Sequence, residues 1–237
     1  PLPEGPLRRR LEHLAERVGF RFRDILVWDT ERGVVNACVT GVLPGFRYVL
    51  LTDALIESLE PKEISAVFGH EIGHVAHRHL PFFAFFFLGS LGLLTLAASG
   101  ASDLEQWIVG FPAFTGWIDT TWSGLVETGL ALASVGLFFW LAFGHLSRRF
   151  ERQADVFGCT VVSCGHSECP PHDDPDDELG PLVPIIRGVS SPCPAGIRIF
   201  ATALSRVARQ NGMEFRARSW RHGSIANRIA FLESLRD

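Results

Sequence analysis

Lysine is all but missing from this chain, and over a long middle stretch so is every basic residue. Lys62 is the only lysine, and no lysine or arginine occurs between Arg78 and Arg148. With 22 Lys+Arg against 26 Asp+Glu the net charge is −4, which excludes the basic field of a general nucleic-acid binder. Methionine occurs once, at Met213, and the first residue is Pro1, so the sequence reads as an excerpt of a longer protein, without a signal peptide in it. The five cysteines, Cys38, Cys159, Cys164, Cys169 and Cys193, are odd in number and form no compact secreted framework, so reduced thiols in a cytoplasmic setting are expected. Cys164, Cys169 and His172 offer an alternative, a second metal site, but they lie in a Pro- and acid-rich stretch without a recognised ligand spacing.

Charge is absent altogether from two runs. Leu80 to Ser102 is 23 residues without a formal charge and holds five phenylalanines from Phe82 to Phe87, enough to cross a bilayer. Thr128 to Gly144 is a second such run of 17 residues, extendable backward through Leu125 and Val126; a core helix is its alternative reading. Together they favour a transmembrane hairpin at 80–146. The segment 103–127 between them carries Asp103, Glu105, Asp119 and Glu127, with Trp107, Trp117 and Trp122 suited to an interfacial belt. Arg78 before the first run and Arg148 and Arg149 after the second put both outer ends in the cytoplasm by the positive-inside tendency.

What the chain does have is chemistry on either side of that hairpin. In Gly69-His70-Glu71-Ile72-Gly73-His74 the two histidines are four residues apart, one turn on one helical face, with Glu71 beside them. Two neutral imidazoles leave the charge of a Zn²⁺ ion intact to acidify a water, and an adjacent carboxylate can take the proton. Pro61 and Glu63 suit the first turn of this helix, and Pro81 is expected to end it. Ile64, Phe68, Ile72 and Val75, with His79, fall on the opposite, core-facing side. His77, one turn beyond His74, is the local rival for a third ligand. After the second run, Glu151 and Asp155 are again one turn apart. Because a hairpin returns the chain to the side it left, Glu151 can be the third ligand, and Asp155 can hold the tautomer of a ligand histidine. A surface charge pair among arginines is the bland alternative.

Around these motifs the chain predicts an amphipathic helix from Pro6 to Val18 and strands over Asp24–Trp28, Val34–Thr40 and Arg47–Leu51, read as a small antiparallel sheet. A short helix follows, capped by Thr52-Asp53. Residues 164–196, with seven prolines and the acidic run from Asp173 to Glu178, read as a loop or partly disordered excursion. Helices then run from Ile197 to Gln210 and onward from Ser224, with His222 and Arg228 flanking the start of the last.

Taken in order, Asn36-Ala37, His-Glu-Ile-Gly-His, two apolar runs, Glu151-Arg-Gln-Ala-Asp155 and Trp220-Arg-His-Gly-Ser-Ile-Ala-Asn-Arg228 resemble the membrane gluzincin metallopeptidases typified by the CAAX prenyl protease and the heat-shock protease HtpX. The resemblance covers nearly the whole sequence. It implies one Zn²⁺ held by His70, His74 and Glu151, Glu71 as general base, Asp155, His222 and Arg228 as accessory active-site residues, and Asn36 in the strand bordering the substrate cleft. The excursion after Asp155, Gly223 in place of a common proline, and the missing upstream spans depart from the family pattern.

The expectation is an α+β, mostly α, zincin-like peptidase domain formed by residues 1–79 and 147–237, with a small N-terminal sheet and the hairpin inserted between its ligand helices. The function expected is zinc-dependent endopeptidase, an integral membrane protein acting on protein or peptide at the cytoplasmic face. A catalytically silent membrane scaffold with a structural zinc is the rival, and a fourth ligand at His77 would favour it. A non-peptide zinc hydrolase is a third reading.

Overall fold

The structure is a computed structural model, and it describes residues 1–109, 120–164 and 192–235. Helix α1 (Pro6–Arg17) starts on a proline, and its apolar face buries Leu11 and Leu14. Strands β1 (Asp24–Trp28), β2 (Ala37–Thr40) and β3 (Tyr48–Thr52) follow, with a 3-10 turn at Pro44–Phe46 between the last two. Helices α2 (Asp53–Ser58), α3 (Pro61–Ala76), α4 (His79–Val109), α5 (Thr120–Val161), α6 (Pro194–Gln210) and α7 (Ile225–Glu233) complete the order. The chain folds as two compact units, one of residues 1–77 and 148–237, the other of residues 78–147.

The sheet is mixed rather than antiparallel. Its order is β1-β3-β2, with β1 parallel to β3 in the register Ile25↔Val49 and β2 antiparallel to β3 in the register Cys38↔Leu50. The short connection 41–47 folds β2 back onto β3 as a hairpin, and β1 joins the outer edge of β3, where the chain direction makes it parallel. Gly41 makes this hairpin possible: it sits at φ +90°, and a Cβ there would collide with the backbone of Phe46. The predicted second strand is also shorter than expected, because Val34–Asn36 lie outside β2.

α1 and the back of α3 cover the sheet. Leu11, Leu14, Ile25, Val49, Leu51, Ile64, Phe68 and Ile72 form one core. Ala66 of α3 joins Cys159, Ile197, Phe200, Leu204 and Leu232 in a second, shared with α5, α6 and α7. α3 begins with a capping box, in which the Glu63 side chain accepts from the backbone N–H of Glu60 at 2.9 Å. Arg206 of α6 braces that first turn, at 2.8 Å from Glu63 and 2.9 Å from Glu60.

Pro81 does not end α3. The helix stops at Ala76, His77 caps it, and Arg78 turns the chain at φ 56°. Pro81 then occupies the first turn of α4, where a missing N–H costs nothing. His79, expected on the back of α3, is therefore the first residue of α4.

In the second unit α4 and α5 pair in opposite directions, through Phe83 on Phe143 (ring centroids 4.7 Å) and Phe87 on Phe139 (5.4 Å). Much of their remaining surface is apolar and exposed, including Phe85, Leu88, Leu96, Leu132 and Leu141. Among the described residues one segment, His79–Leu96, is long and apolar enough to cross a membrane, with mean hydropathy 1.7. The second uncharged run lies inside the 42-residue α5 and adds no further candidate among those residues.

Most of the predicted excursion, 165–191, and part of the predicted loop, 110–119, lie outside the described residues. Its last residues are corrected: α6 starts at Pro194, three residues earlier than expected, capped by Cys193, whose Sγ accepts from Gly196 N–H. Cys193 N–H donates to Ser163 Oγ at 2.9 Å, tying the start of α6 to the residues just past α5.

Candidate metal centre

Two helices meet here with almost nothing between them. A Cβ added at Gly69 of α3 would lie 3.1 Å from Val161 Cβ and 3.2 Å from Gly158 Cα; one at Gly73 would lie 3.1 Å from Ala154 Cα; one at Gly158 would lie 2.8 Å from the Ala66 carbonyl. Gly69 and Gly73 on α3 and Ala154 and Gly158 on α5 are thus two small-residue pairs, each spaced by one turn, along which the backbones touch. This seam brings together side chains that are about eighty residues apart in sequence. Sequence reasoning missed it, although the spacing of four was there to be read.

Beside the seam, His70 Nε2 and His74 Nε2 are 3.2 Å apart. Glu151 places Oε2 3.8 Å from His70 Nε2 and Oε1 3.7 Å from His74 Nε2. All three donor atoms lie within 4.8 Å of one another. A tetrahedral zinc with bonds of about 2.0–2.2 Å separates its ligand atoms by about 3.3–3.5 Å, so the donor set fits this ion in both distance and chemistry. His77 is not in the group. It is exposed at the end of α3, its ring edge-on to Phe157 at 5.9 Å.

Behind the donors sits a buried ionic cluster. Asp155 Oδ1 lies 2.9 Å from His70 Nδ1, on the ring side away from His74. Arg228, delivered by α7, donates through Nε to Asp155 Oδ2 at 2.8 Å and through its second amino group to Oδ1, while Nη1 lies 3.3 Å from Glu151 Oε2. α7 can hold Arg228 there because Ser224 caps it, accepting from Asn227 N–H at 3.2 Å. Burial pushes the Asp155 carboxyl up, but the charge of Arg228 and the contact with His70 outweigh it and hold the group at about 2. Burial likewise pushes Glu151 up, and His222, His70 and Arg228 together bring it below the usual carboxylate range. His222 reaches Glu151 from the turn before α7, with Nδ1 2.9 Å from Oε1. That turn is closed by Ser219 pairing with Gly223 and held by Arg148, which donates to the Trp220 carbonyl at 3.0 Å.

Glu71 stands apart from the donors. Burial raises its carboxyl, with the neighbouring charge of Glu151 adding to the rise and that of His70 opposing it. The nearby backbone N–H of Val39 in β2 also works against the rise. Asn36, expected to border the cleft, is exposed, but its backbone faces β3: Thr52 N–H donates to its carbonyl at 3.1 Å.

Known proteins are similar to this chain. The model of Peptidase family M48 matches residues 1–168. The "Protease HtpX homolog" of Aeropyrum pernix is 29% identical over 168 residues, covering 70% of this chain and 50% of that protein. "CAAX prenyl protease 1" of Saccharomyces cerevisiae is 39% identical over 82 residues, covering 34% of this chain and 18% of that one. The chain thus spans half or less of the length of these relatives. The crystal structure of S. mikatae Ste24p superposes with a TM-score of 0.64 at 22% identity, covering 98% of this chain and 50% of that one, and so shares its fold. With a family match over well more than half of its residues, this chain belongs to Peptidase family M48.

Proposed function

We propose that the chain is the catalytic part of a membrane-bound zinc endopeptidase. The observation that carries this is the three-donor group His70, His74 and Glu151, with Glu71 next to His70 in the same helix. Three protein donors leave a position open on a tetrahedral ion, whereas a structural zinc is normally closed by four. The absence of His77 from the group among the described residues weighs against the scaffold reading.

A zinc ion bound there would supply Lewis acidity, polarising the scissile carbonyl and acidifying water. Glu71, kept from ionising too readily by its burial, takes the proton of the attacking water and passes it to the leaving amine. Asp155 orients His70, and Arg228 keeps Asp155 and Glu151 ionised. His222, half-exposed at the mouth of the group, is the donor available to the negative charge that develops on the carbonyl oxygen. The substrate lies as an extended strand along the open edge of β2, where main-chain pairing supplies affinity.

The apolar, exposed surface of His79–Leu96 supports a lipid environment for the second unit, and Arg78, Arg148 and Arg149 support a cytoplasmic active site. The decisive test is Glu71→Gln. Glutamine keeps the shape of the side chain and leaves His70, His74 and Glu151 untouched, so the metal is expected to stay, while peptide hydrolysis falls by about 10²- to 10⁴-fold. Full activity in this variant would refute the assignment.

A further inference from the structure

The open edge of β2 is the surface on which the proposed substrate strand pairs, and one end of it is occupied. Asn36 turns its backbone toward β3, with its carbonyl accepting from Thr52 N–H at 3.1 Å and its N–H donating to Thr52 Oγ1 at 3.0 Å. Successive residues of a strand point their N–H and C=O groups to opposite sides, so Val35, Ala37 and Val39 present theirs on the open edge. Val39 N–H lies near the Glu71 carboxylate, whose charged form it favours. At the other end Val35 is taken on both of its groups by a side chain 176 residues away: Val35 N–H donates to Asn211 Oδ1 at 3.0 Å, and Asn211 Nδ2 donates to the Val35 carbonyl at 2.8 Å.

This two-bond exchange on a single residue is what a partner strand would make in a hydrogen-bonded antiparallel pair. The Asn211 amide therefore occupies the place of the next strand. It is firmly held. Asn211 caps α6, its N–H bonded to Val207 O at 3.1 Å; Gly212 follows at φ +62°, and Met213 N–H closes back onto Ala208 O at 2.8 Å. The helix behind it is anchored by the buried Leu204 and Ala208.

We propose that Asn211 is a stop on the substrate-binding edge: a bound peptide pairs with Ala37 and Val39 and cannot continue to Val35. The protein then takes peptides whose paired extended backbone is short on the flank of the scissile bond that runs toward Val35, and is indifferent to chain length beyond that point. The other flank carries no such limit at Asn211. This rests on the edge-pairing peptidase reading given above and sets its substrate class.

The test uses the full chain and a set of quenched peptides of one core sequence, lengthened residue by residue at either end. In the wild type the KM is expected to fall with length at one end and to level off early at the other. In Asn211→Ala the levelled end resumes its fall, with a further drop of about five-fold, the order of one net hydrogen bond, over the next two residues. Asn211→Asp, which keeps an acceptor for Val35 N–H and a side chain in the way, should keep the plateau. An early plateau at neither end of the wild type, or a loss in Asn211→Ala that is equal at every length, overturns the proposal. The wild-type series decides it even if the alanine variant does not fold. Absence of any Glu71-dependent hydrolysis would sink the peptidase reading itself, a result distinct from hydrolysis without a length limit.

Discussion

Arg228 grips Asp155 with two nitrogens, and Oδ1, one of the two oxygens it holds, also lies 2.9 Å from His70 Nδ1, so the last helix of the chain reaches the candidate metal centre through one fully buried acid. A buried acid so placed is both a positioning device and a pH-dependent element.

Asp155 makes acid stability measurable. Its carboxyl is held at about 2 in the folded chain against an ordinary value of 3.8. A depressed folded pKa contributes stability that is fully present above the unfolded value and is lost as pH falls through the folded one. The contribution, about 2 kcal/mol, should therefore disappear between pH 4 and pH 2. Denaturant titrations across that window should show a steep loss in the wild type and a shallower one in Asp155→Asn. Equal slopes would mean that Arg228 does not hold the acid in solution.

Glu151→Ala should lose zinc. The substitution removes one of three donors and leaves His222 and Arg228 without the carboxylate they share. Metal content after dialysis against a weak chelator is expected to drop from one zinc per chain to a small fraction of it. Unchanged content would take Glu151 out of the donor set.

Gly158→Ala tests the seam. Its new methyl would stand 2.8 Å from the Ala66 carbonyl, a backbone atom that cannot swing aside. The helices must separate, at a cost of about 1–3 kcal/mol, and zinc affinity should fall with stability because His70 and Glu151 ride on the two sides. Retention of both would show that the backbones have room to spare.

His222 and Arg228 should part company in kinetics. His222 is half-exposed beside Glu151, whereas Arg228 is buried in the ion cluster. His222→Ala is expected to lower kcat by about 10²- to 10³-fold with little change in KM, as for a donor that acts on transition-state charge. Arg228→Ala should lower the melting temperature first, since it strands Asp155 without a counter-ion, a loss of about 3–5 kcal/mol. A rate defect confined to Arg228→Ala would reverse the two roles.

Residues whose geometry is set within one helical turn were legible from sequence. His70 with His74, and Glu151 with Asp155, are pairs at a spacing of four, and the structure brings the two pairs together. What depended on contacts between distant segments was not legible. Parallel pairing of β1 with β3 follows from which edge the hairpin leaves open, not from any residue in β1. Pro81 carries the same chemistry whether it ends one helix or begins the next, and only Arg78 at φ 56° decides. Asn211 looks like an ordinary helix cap, and its bond to Val35 has no local signature. The glycines of the seam were visible, but their purpose shows only when the opposite helix is in place.

The bond between Cys193 N–H and Ser163 Oγ joins two residues that are 30 positions apart in sequence. The entropic cost of joining two points of a chain grows slowly with the number of residues between them, a doubling adding only about 0.6 kcal/mol. A reporter domain spliced between positions 163 and 193 should therefore leave Asp155, the candidate metal centre and the sheet edge as they are.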